Sequence, residues 1–403
     1  MKDYHLDFPL LTRHYQGQPL VYLDNAATTP KPEVVLAAVD NYYRQHNANV
    51  HRGPNFLAEE ATTLYEGARH IVAKFINAEV EEIIFNSGTT TGVNLIARSW
   101  GEHNLRAGDV IALSRAEHHA NFVPWLQLQD RLGVVLAFIE MEPDGSFNQA
   151  SLNKIFAHPR LRLLAVTQAS NVLGQYYDLA PLIARARRAG VVTLVDAAQS
   201  IAHQAVDVRA LGCDFLVFSG HKLFAPAGIG VLFVRQELLA DLAPVFGGGG
   251  MIDQVTSTNF TPTTGPAKFE AGTPNIEGAI GLGAACRYLQ TISWLAIKEK
   301  ERELTTYFLE KLSNLDWMSL LGGEVERLPL FALSFQNLHP HDVADLLGER
   351  GFITRAGHHC AQPLHDYFNL SATLRVSLSF YNTTAEIDDF FAALMDIRKL
   401  LHS

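Results

Sequence analysis

The sequence predicts an α/β protein, with a large domain built on a mostly parallel, seven-stranded sheet between helices and a smaller α+β domain. Between residues 80 and 240, short apolar runs rich in β-branched residues alternate with segments of helical periodicity. This alternation is typical of a parallel sheet covered by helices. After residue 240 the pattern changes to a Gly-, Thr- and Pro-rich stretch and then to a different succession of predicted helices and strands. A hydrophobic fraction of 48% against 18% charged residues supplies a large core and excludes a disordered chain.

The first part of the chain predicts seven strands, at 82–85, 109–113, 134–139, 161–167, 191–196, 215–219 and 230–234. Helices are expected among them at 91–100, 121–132 and 179–189. Ligands bind beyond the carboxyl ends of the strands in sheets of this kind. Polar residues that directly follow a strand are therefore the candidates for chemistry.

The second part begins with residues 247–274, which have little periodicity and are too many for a plain connector. Such a segment is typical of a functional or interface element. Residues 276–312 predict one long helix. The smaller domain then predicts strands at 331–335, 352–355 and 373–379 and helices at 342–350 and 385–401.

Charge and cysteine content exclude several classes of protein. The 32 basic and 42 acidic residues give a net charge of −10 without a basic block, so neither a nucleic acid nor an anionic membrane is expected as a partner. No apolar run approaches the length of a membrane span, and the N-terminus lacks the apolar core of a signal peptide. Three scattered cysteines make no disulfide framework, which favours a cytoplasmic protein with free thiols.

Lys222 is the most informative residue, because it closely follows the predicted strand 215–219 in the segment Phe218-Ser-Gly-His-Lys222. Burial at a strand end favours the neutral amine, and a neutral lysine can form a Schiff base with a carbonyl cofactor. Ser219 and His221 add hydrogen-bond donors suited to a phosphate. The alternative is a lysine whose charged end extends past the strand into solvent.

Two further turns carry candidate cofactor ligands. Asp196 ends an apolar strand and is expected to have a cationic partner, since an unpaired buried carboxylate is costly. The pyridinium nitrogen of pyridoxal phosphate (PLP) is one such partner, and Gln199 can reach the phenolic oxygen of that cofactor. The turn Asn86-Ser-Gly-Thr-Thr-Thr91 offers N–H groups and hydroxyls to a phosphate. Ordinary helix capping is the alternative for both turns.

His118 and His119 follow the predicted strand 109–113, where an imidazole can stack on an aromatic cofactor or act as an acid or base. Together with Gly357-His-His-Cys360 they raise the question of a zinc site. Adjacent histidines point apart, and neither a CxxC nor an HExxH spacing is present. No metal is therefore predicted.

Cys360 and Arg375 are the candidates of the smaller domain. Cys360 lies in a loop rich in glycine and histidine, where imidazoles favour the reactive thiolate. Cys213 and Cys286 fall in apolar patterns typical of buried thiols. Arg375 interrupts an apolar strand and needs an anion, for which a substrate carboxylate and an internal ion pair are equally good explanations.

Taken together, these segments resemble the class V aminotransferase family of fold-type I PLP enzymes. Within it they are most similar to the cysteine desulfurases of the Suf/Csd type, whose members also act as selenocysteine lyases. The resemblance runs nearly end to end and rests on the order and spacing of its motifs. These are Tyr22-Leu-Asp-Asn-Ala-Ala27, Val50-His-Arg-Gly53, Ser87-Gly-Thr-Thr90, Glu117-His-His-Ala-Asn121, Ser170-Asn-Val-Leu-Gly174, Val195-Asp-Ala-Ala-Gln199, Ser219-Gly-His-Lys222, Glu270-Ala-Gly-Thr-Pro-Asn275 and Arg355 to Pro363.

The resemblance implies a role for each residue that meets the cofactor. Lys222 would hold PLP covalently, Asp196 would pair with the pyridine nitrogen, and Gln199 would contact the phenolic oxygen. His118 would stack on the ring. The phosphate would be bound by Thr90, Ser219 and His221, together with Thr273 of the other subunit in a homodimer.

The resemblance also implies the substrate and its binding groups. Asn171 and Arg375 would hold the carboxylate of L-cysteine or L-selenocysteine, with Arg355 close by. Cys360 would attack the substrate sulfur, which gives alanine and a persulfide on Cys360. An acceptor protein of the SufE/CsdE kind would then take the sulfur.

The implied domains are a large PLP-binding domain at residues 15–285 and a small domain at residues 1–14 and 286–403, which carries the cysteine loop. The apolar Phe246 before the glycine run and the segment Cys360-Ala-Gln-Pro-Leu364 favour the Csd-like subtype. Other class V enzymes, such as aminotransferases, epimerases and kynureninases, need no cysteine nucleophile. A sulfur-carrier scaffold would need neither Lys222 nor Asp196. The sequence therefore predicts a cysteine desulfurase.

Overall fold

A computed structural model describes residues 3–51, 53–323 and 326–402, and its strands form one sheet of seven, one of four and three two-stranded pairs. The strands are β1 (His14–Tyr15), β2 (Gln18–Pro19), β3 (Val21–Tyr22), β4 (Ile83–Asn86), β5 (Val110–Ser114), β6 (Val135–Ile139), β7 (Leu161–Thr167), β8 (Val192–Asp196), β9 (Phe215–Ser219), β10 (Gly230–Val234), β11 (Ile252–Val255), β12 (Phe260–Pro262), β13 (Met318–Leu320), β14 (Leu330–Phe335), β15 (Phe352–Ile353), β16 (Arg355–Gly357) and β17 (Thr373–Ser377).

The α-helices of the described residues cover both sheets and connect their strands. They are α1 (Glu33–Asn41), α2 (Phe56–Phe75), α3 (Thr89–Ile96), α4 (Glu102–Asn104), α5 (Val123–Leu132), α6 (Gln149–Phe156), α7 (Ala180–Arg188), α8 (Val208–Leu211), α9 (Gln236–Leu239), α10 (Ile276–Gln290), α11 (Trp294–Ser313), α12 (Pro340–Gly348), α13 (Gln362–Tyr367) and α14 (Thr384–His402). None of these described helices is both long and apolar enough to cross a membrane.

The large sheet has the strand order β4-β10-β9-β8-β7-β5-β6. Strand β10 runs antiparallel to both of its neighbours, and the remaining pairs are parallel. The prediction of a mostly parallel, seven-stranded sheet is therefore confirmed. Because β5, β7, β8 and β9 point the same way, their carboxyl ends meet at one edge of the sheet.

Both faces of this sheet are buried, which explains why its strands are continuous apolar runs. Alternate side chains of a strand point to opposite faces. On β9, Leu216 and Phe218 join the core cluster of one face, and Phe215 and Val217 join the cluster of the other. The fully buried central strands hold the sheet edge in place.

The smaller domain contains the antiparallel sheet β13-β14-β17-β16. Its own core includes Phe308 of α11, which stacks on Phe331 of β14 with ring centroids 3.9 Å apart. Strand β3 adds to this part of the molecule, because it pairs in parallel with β15. The expectation of a second α+β domain is confirmed.

Three elements predicted after residue 270 differ from the structure, and β13 and α13 were not predicted. The predicted helix 276–312 is divided into α10 and α11, because the Thr291 hydroxyl bonds back to the Tyr288 carbonyl and ends the first helix. The predicted strand 352–355 is divided into β15 and β16, which pair with different strands. The predicted strand 373–379 ends at Ser377.

The predicted domain boundaries fall inside packed elements. Position 285 lies within α10, which packs against α2 of the large domain. Val21 and Leu23, assigned from the sequence to the large domain, lie in the core of the smaller one. We propose that the smaller domain takes in β3 and resumes after α10.

The glycine-rich segment 247–274 contains a hairpin made by β11 and β12. Val255 is 61% exposed and Phe260 is 48% exposed at the end of this hairpin. The two residues pair across the hairpin, so their exposed apolar side chains lie side by side.

The packing of the smaller domain predicts the effect of removing one aromatic ring. Phe308→Ala should lower the free energy of unfolding by about 3–5 kcal/mol, because the ring is fully buried against Phe331. Leu295→Ala on the same helix is the matched control, since Leu295 is 66% exposed. Urea unfolding followed by circular dichroism measures both changes, and equal shifts for the two variants would contradict this packing.

Candidate active site

All the site residues predicted from the sequence except Thr273 line one cavity of about 400 Å³. They are Thr90, His118, Asn171, Asp196, Gln199, Ser219, His221, Lys222, Arg355, Cys360 and Arg375. Thr273 lines a different cavity of about 600 Å³, together with His51, Arg69 and Glu270. The neighbour of His51 in the quoted motif, Arg52, lies outside the described residues.

The cavity lies where the large sheet meets the smaller domain. Asp196 ends β8, Ser219 ends β9, and Lys222 follows in a short turn. The loop after β7 supplies Asn171, and the loop after β5 supplies His118. The smaller domain closes the other side, with Arg355 on β16 and Arg375 on β17.

Asp196 is buried and has no ion-pair partner among the described residues. Its Oδ1 accepts a hydrogen bond of 2.9 Å from the Ala198 N–H, and its side chain is 3% exposed. Burial raises the pKa of this carboxyl group, and the Ala198 N–H and the Lys222 amine act in the opposite direction. A protonated ring nitrogen in the cavity would stabilise the ionised carboxylate.

Lys222 is held with an amine that loses its proton readily. Burial lowers the pKa of Lys222 to about 8, although the Asp196 carboxylate opposes this shift. A neutral amine is the form that attacks a carbonyl group. The position of Lys222 is fixed through the His221 carbonyl, which accepts hydrogen bonds of 3.0 Å from the Thr29 N–H and the Lys31 Nζ.

The N-terminus of α3 and the end of β9 form a polar cup. The Ser219 hydroxyl oxygen accepts a hydrogen bond from the Thr89 N–H at 2.8 Å and lies 2.9 Å from the Thr89 hydroxyl. Gly88 precedes the helix with φ = 140°, and a Cβ atom there would lie 3.0 Å from the Ser219 Oγ. The N–H groups of the first turn of a helix attract an anion. Thr90 and His221 complete the cup.

His118 is a neutral imidazole with a defined tautomer. Burial, the Lys222 amine and neighbouring cationic groups lower the pKa of His118 to about 3. Its Nδ1 accepts a hydrogen bond of 3.0 Å from the Ala120 N–H, which places the proton on Nε2. The preceding Glu117 anchors this turn, because its carboxyl oxygens accept hydrogen bonds from the Thr167 N–H at 2.9 Å and the Asn121 side chain at 2.7 Å.

Cys360 lies in a loop that is strained and firmly held. His359 and Cys360 have φ angles of 53° and 56°, a conformation that costs about 1–3 kcal/mol per residue. The Cys360 carbonyl accepts a hydrogen bond of 2.7 Å from the His119 N–H, and the His359 carbonyl accepts one of 2.6 Å from the Asn171 amide. The Gln362 N–H donates to the His119 ring at 3.1 Å. These contacts present an exposed thiol at the cavity.

The two arginines share one buried carboxylate, Asp24. A terminal nitrogen of Arg375 lies 3.1 Å from Asp24 Oδ1, and one of Arg355 lies 3.0 Å from Oδ2. Arg375 also donates to the Asn171 backbone carbonyl at 3.1 Å. Its buried Nε has no hydrogen-bond partner among the described residues. An anion in the cavity would provide that partner.

The amide groups of Asn171 and Gln199 are already partly used within the protein. The Asn171 amide donates to the cysteine loop, as described above, while its side chain still lines the cavity. The Gln199 amide donates to the Ala26 carbonyl at 2.9 Å. Each NH₂ group carries a second hydrogen for a ligand.

Sequence reasoning gave no role to three residues that organise the site, which are Asp24, Thr89 and Lys31, and it did not find the contact between His119 and the cysteine loop. Asp24 and Thr89 stand inside or beside quoted motifs, and a carboxylate that follows an apolar run was a signal for Asp24. Lys31 and His119 act through backbone groups of residues far away in the chain. No local sequence pattern predicts such contacts.

The arrangement fits PLP. The carboxylate of Asp196 lacks an ion-pair partner, the helix N-terminus at Thr89 suits a phosphate, and the Lys222 amine has a lowered pKa within the same cavity. Among the described residues, no group of three or more His, Cys, Asp or Glu side chains is placed to hold a metal ion.

Comparison with known proteins gives a consistent result over almost the whole chain. The family described as "Aminotransferase class-V" matches residues 21–390. A cysteine desulfurase of Klebsiella pneumoniae is 48% identical over 397 residues, which cover 98% of this chain and 97% of that protein.

Two solved structures are also similar. The apo structure of a cysteine desulfurase from Thermococcus onnurineus NA1 has a TM-score of 0.94 and 37% identity, and the match covers 99% of this chain and 98% of that one. The cysteine desulfurase CsdA from Escherichia coli, solved with an S-sulfonic acid, has a TM-score of 0.90 and 38% identity, with 98% of both chains covered.

The exposures of the three thiols predict how they react. In the native protein, iodoacetamide should modify Cys360, because Cys213 and Cys286 are 1% and 0% exposed and burial raises the pKa of both thiols. Peptide mapping identifies the labelled residue. Cys360→Ala is the control and should take up label only after denaturation. Modification of a native Cys213 or Cys286 at a comparable rate would contradict the structure.

Proposed function

The chain belongs to the aminotransferase class-V family, and we propose that it is a PLP-dependent cysteine desulfurase that releases alanine from L-cysteine and keeps the sulfur on Cys360. One observation carries this proposal: an exposed thiol in an anchored loop lines the same cavity as Lys222 and the unpaired carboxylate of Asp196. An aminotransferase has no use for such a thiol. The names of the similar proteins support the same activity.

The residues that would hold PLP divide into three groups. Asp196, Gln199 and His118 would contact the ring, and Lys222 would bond to the carbonyl carbon. Thr90, Ser219 and His221 would bind the phosphate. When bound, PLP supplies an electron sink for the carbon atoms of an amino acid.

Lys222 has two tasks in the proposed reaction. It would hold the cofactor, and when its amine is free that amine would carry protons. With a pKa of about 8, Lys222 can both accept and release a proton near neutral pH. The proton that completes the methyl group of alanine comes from this amine.

Arg375 orients the substrate. Its guanidinium lines the cavity, and its Nε is free to bind a carboxylate. The adjoining Asn171 amide and the half-exposed Arg355 define the rest of this subsite. A carboxylate held here directs the substrate side chain according to the handedness of the amino acid.

Cys360 performs the sulfur transfer. Its thiolate attacks the sulfur of the bound cysteine, so an S–S bond forms while the C–S bond of the substrate breaks. The electron pair of that bond stays on the substrate carbon, which then takes a proton. Cys360 is left as a persulfide, and the thiol of an acceptor removes the outer sulfur.

We also propose that the protein works as a homodimer in which Thr273 reaches the phosphate of the partner's cofactor. Thr273 lies away from Lys222 in its own chain, beside a cavity of about 600 Å³. The exposed Val255 and Phe260 of the hairpin support a covered surface nearby. Glu270 fixes this segment, because its carboxylate accepts hydrogen bonds from Arg69 at 2.6 and 2.8 Å.

The proposal also covers a second substrate, the sulfur acceptor, the subtype and the location in the cell. L-selenocysteine is expected to react as well, since its weaker carbon–selenium bond depends less on a nucleophile. An acceptor of the SufE/CsdE kind fits the exposed thiol, and Phe246 supports the Csd-like subtype. Three free thiols support a cytoplasmic location.

The activity is tested by measuring alanine and sulfide from L-cysteine in the presence of a reductant. Cys360→Ala should retain bound PLP and lose persulfide formation, because the thiol does not take part in holding the cofactor. Lys222→Ala is the comparison variant and should lose on the order of 10²–10⁴-fold in rate, since its proton transfers are removed. Near wild-type sulfide release by Cys360→Ala would contradict the assignment of the nucleophile.

The shared site is tested by mixing two inactive chains. In a heterodimer of Lys222→Ala and Thr273→Ala chains, one site would contain both intact residues and the other would contain neither. Activity should therefore rise above that of either parent homodimer after the subunits exchange. If Thr273 acts within its own chain, mixing restores nothing.

A further inference from the structure

The buried hydroxyl of Thr373 on β17 contacts two histidines that lie on either side of Cys360 in the chain. The cysteine loop, residues 358–361, joins β16 to α13. Thr373 Oγ1 lies 3.0 Å from Nε2 of His359 in this loop and 3.1 Å from Nε2 of His365 in α13. All three side chains are buried. The proposed reaction gives none of them a role.

The direction of these hydrogen bonds follows from the acceptor at one end. Nδ1 of His365 lies 3.1 Å from the Ala361 carbonyl oxygen, which can only accept, so Nδ1 carries the proton. Burial lowers the pKa of both His359 and His365, so each ring is neutral near pH 7. Nε2 of His365 therefore accepts from the Thr373 hydroxyl. Because that hydroxyl has a single hydrogen, its oxygen accepts from the Nε2–H of His359.

The resulting chain of hydrogen bonds spans Cys360. It begins at the ring of His359, passes through Thr373 and His365, and ends at the carbonyl of Ala361. His359 and Ala361 are the residues directly before and after Cys360. The positive φ angles of His359 and Cys360 persist only where surrounding contacts hold them. The Thr373 hydroxyl therefore connects both sides of the thiol to β17.

Strand β17 also carries Arg375, which would bind the substrate carboxylate. Thr373 and Arg375 are two residues apart, so their side chains lie on the same face of the strand. Leu374 and Val376 point to the other face and pack in the core of the smaller domain. The strand is paired on both sides, with β14 and β16. One rigid strand thus holds the loop anchor and the proposed carboxylate subsite.

We infer that Thr373 is a positioning residue whose hydroxyl fixes Cys360 relative to Arg375, and so relative to the sulfur of the bound substrate. The inference rests on the proposed function, since it assumes that Arg375 binds the carboxylate and that Cys360 is the nucleophile. Thr373 does not line the cavity and acts through His359 and His365. Without the hydroxyl, Nε2 of His365 would be buried without a donor, which is costly.

Thr373→Val tests the inference, because valine keeps the shape of threonine and removes the hydroxyl. Persulfide formation in a single turnover with L-cysteine should slow by on the order of 10–100-fold, since a misplacement of about 1 Å can cost about 10²-fold. Hydrogen exchange of the peptide 358–364 should become faster, because fewer contacts hold the loop. The dissociation constant of L-alanine, read from the absorption of the bound cofactor, should stay the same, since alanine binding does not need the thiol.

Two further variants are the controls. Thr373→Ser keeps the hydroxyl and should restore both the rate of persulfide formation and the slow exchange of the loop. Thr305→Val makes the same substitution at a buried hydroxyl of α11 that has no hydrogen-bond partner among the described residues, and it should leave both measurements unchanged. A general loosening of the smaller domain would instead weaken alanine binding and raise exchange throughout that domain.

The outcomes distinguish a failure of this inference from a failure of the proposed function. A wild-type rate of persulfide formation in Thr373→Val would overturn the inference, and so would an equal loss of rate and alanine affinity. If the wild-type holoenzyme forms no persulfide, the proposed function fails, and exchange at 358–364 still shows whether Thr373 holds the loop. If Thr373→Val does not fold, His365→Leu breaks the same chain of hydrogen bonds. It should give the same selective loss, and a wild-type rate would overturn the inference.

Discussion

The site depends on how the negative charges of two buried carboxylates, Asp24 and Asp196, are compensated by positive charges. Asp24 is balanced within the protein, by two arginines at about ion-pair distance. Asp196 has no ion-pair partner among the described residues, and the Lys222 amine in the same cavity stabilises its negative charge only in part. Burial still raises the pKa of Asp196, so a further cation in the cavity would stabilise the ionised carboxylate. The two arginines beside Asp24 provide a subsite for an anion. The Asp196 carboxylate provides one for a positively charged ring.

The same constraint explains why the site needs both domains. The cationic partners of Asp24 lie on strands of the smaller domain, whereas Asp196 and Lys222 lie at the edge of the large sheet. Asp24 follows β3, which pairs with β15 although more than three hundred residues separate them. The two halves of the cavity are therefore attached to each other through the backbone as well as through ion pairs.

The sequence predicted the large sheet well, because strands buried on both faces are apolar runs that local composition reveals. Strands β7, β9 and β10 have the predicted bounds. The division between α10 and α11 was missed, because a single threonine hydroxyl that bonds back to the Tyr288 carbonyl leaves the apolar periodicity intact. The hairpin in the glycine-rich segment was missed since its side chains are exposed and show no alternation.

The site residues were predictable where a strand end placed them and where motifs agreed. The contacts that position these site residues were harder to predict from the sequence. The His119 N–H donates to the Cys360 carbonyl and the Lys31 amine donates to the His221 carbonyl, and in each case the two residues lie far apart in the chain. Each of these contacts involves a backbone carbonyl, which every residue has. The sequence therefore does not show which carbonyl accepts the hydrogen bond.

The anchoring of the cysteine loop has a consequence for sulfur transfer. Two residues of the loop have strained positive φ angles, and hydrogen bonds from His119 and Asn171 attach its backbone to the large domain. These hydrogen bonds hold Cys360 at the cavity. Under the proposed function, an acceptor has to bring its own thiol to the mouth of the cavity. The Cys360 side chain is exposed, which is compatible with this approach.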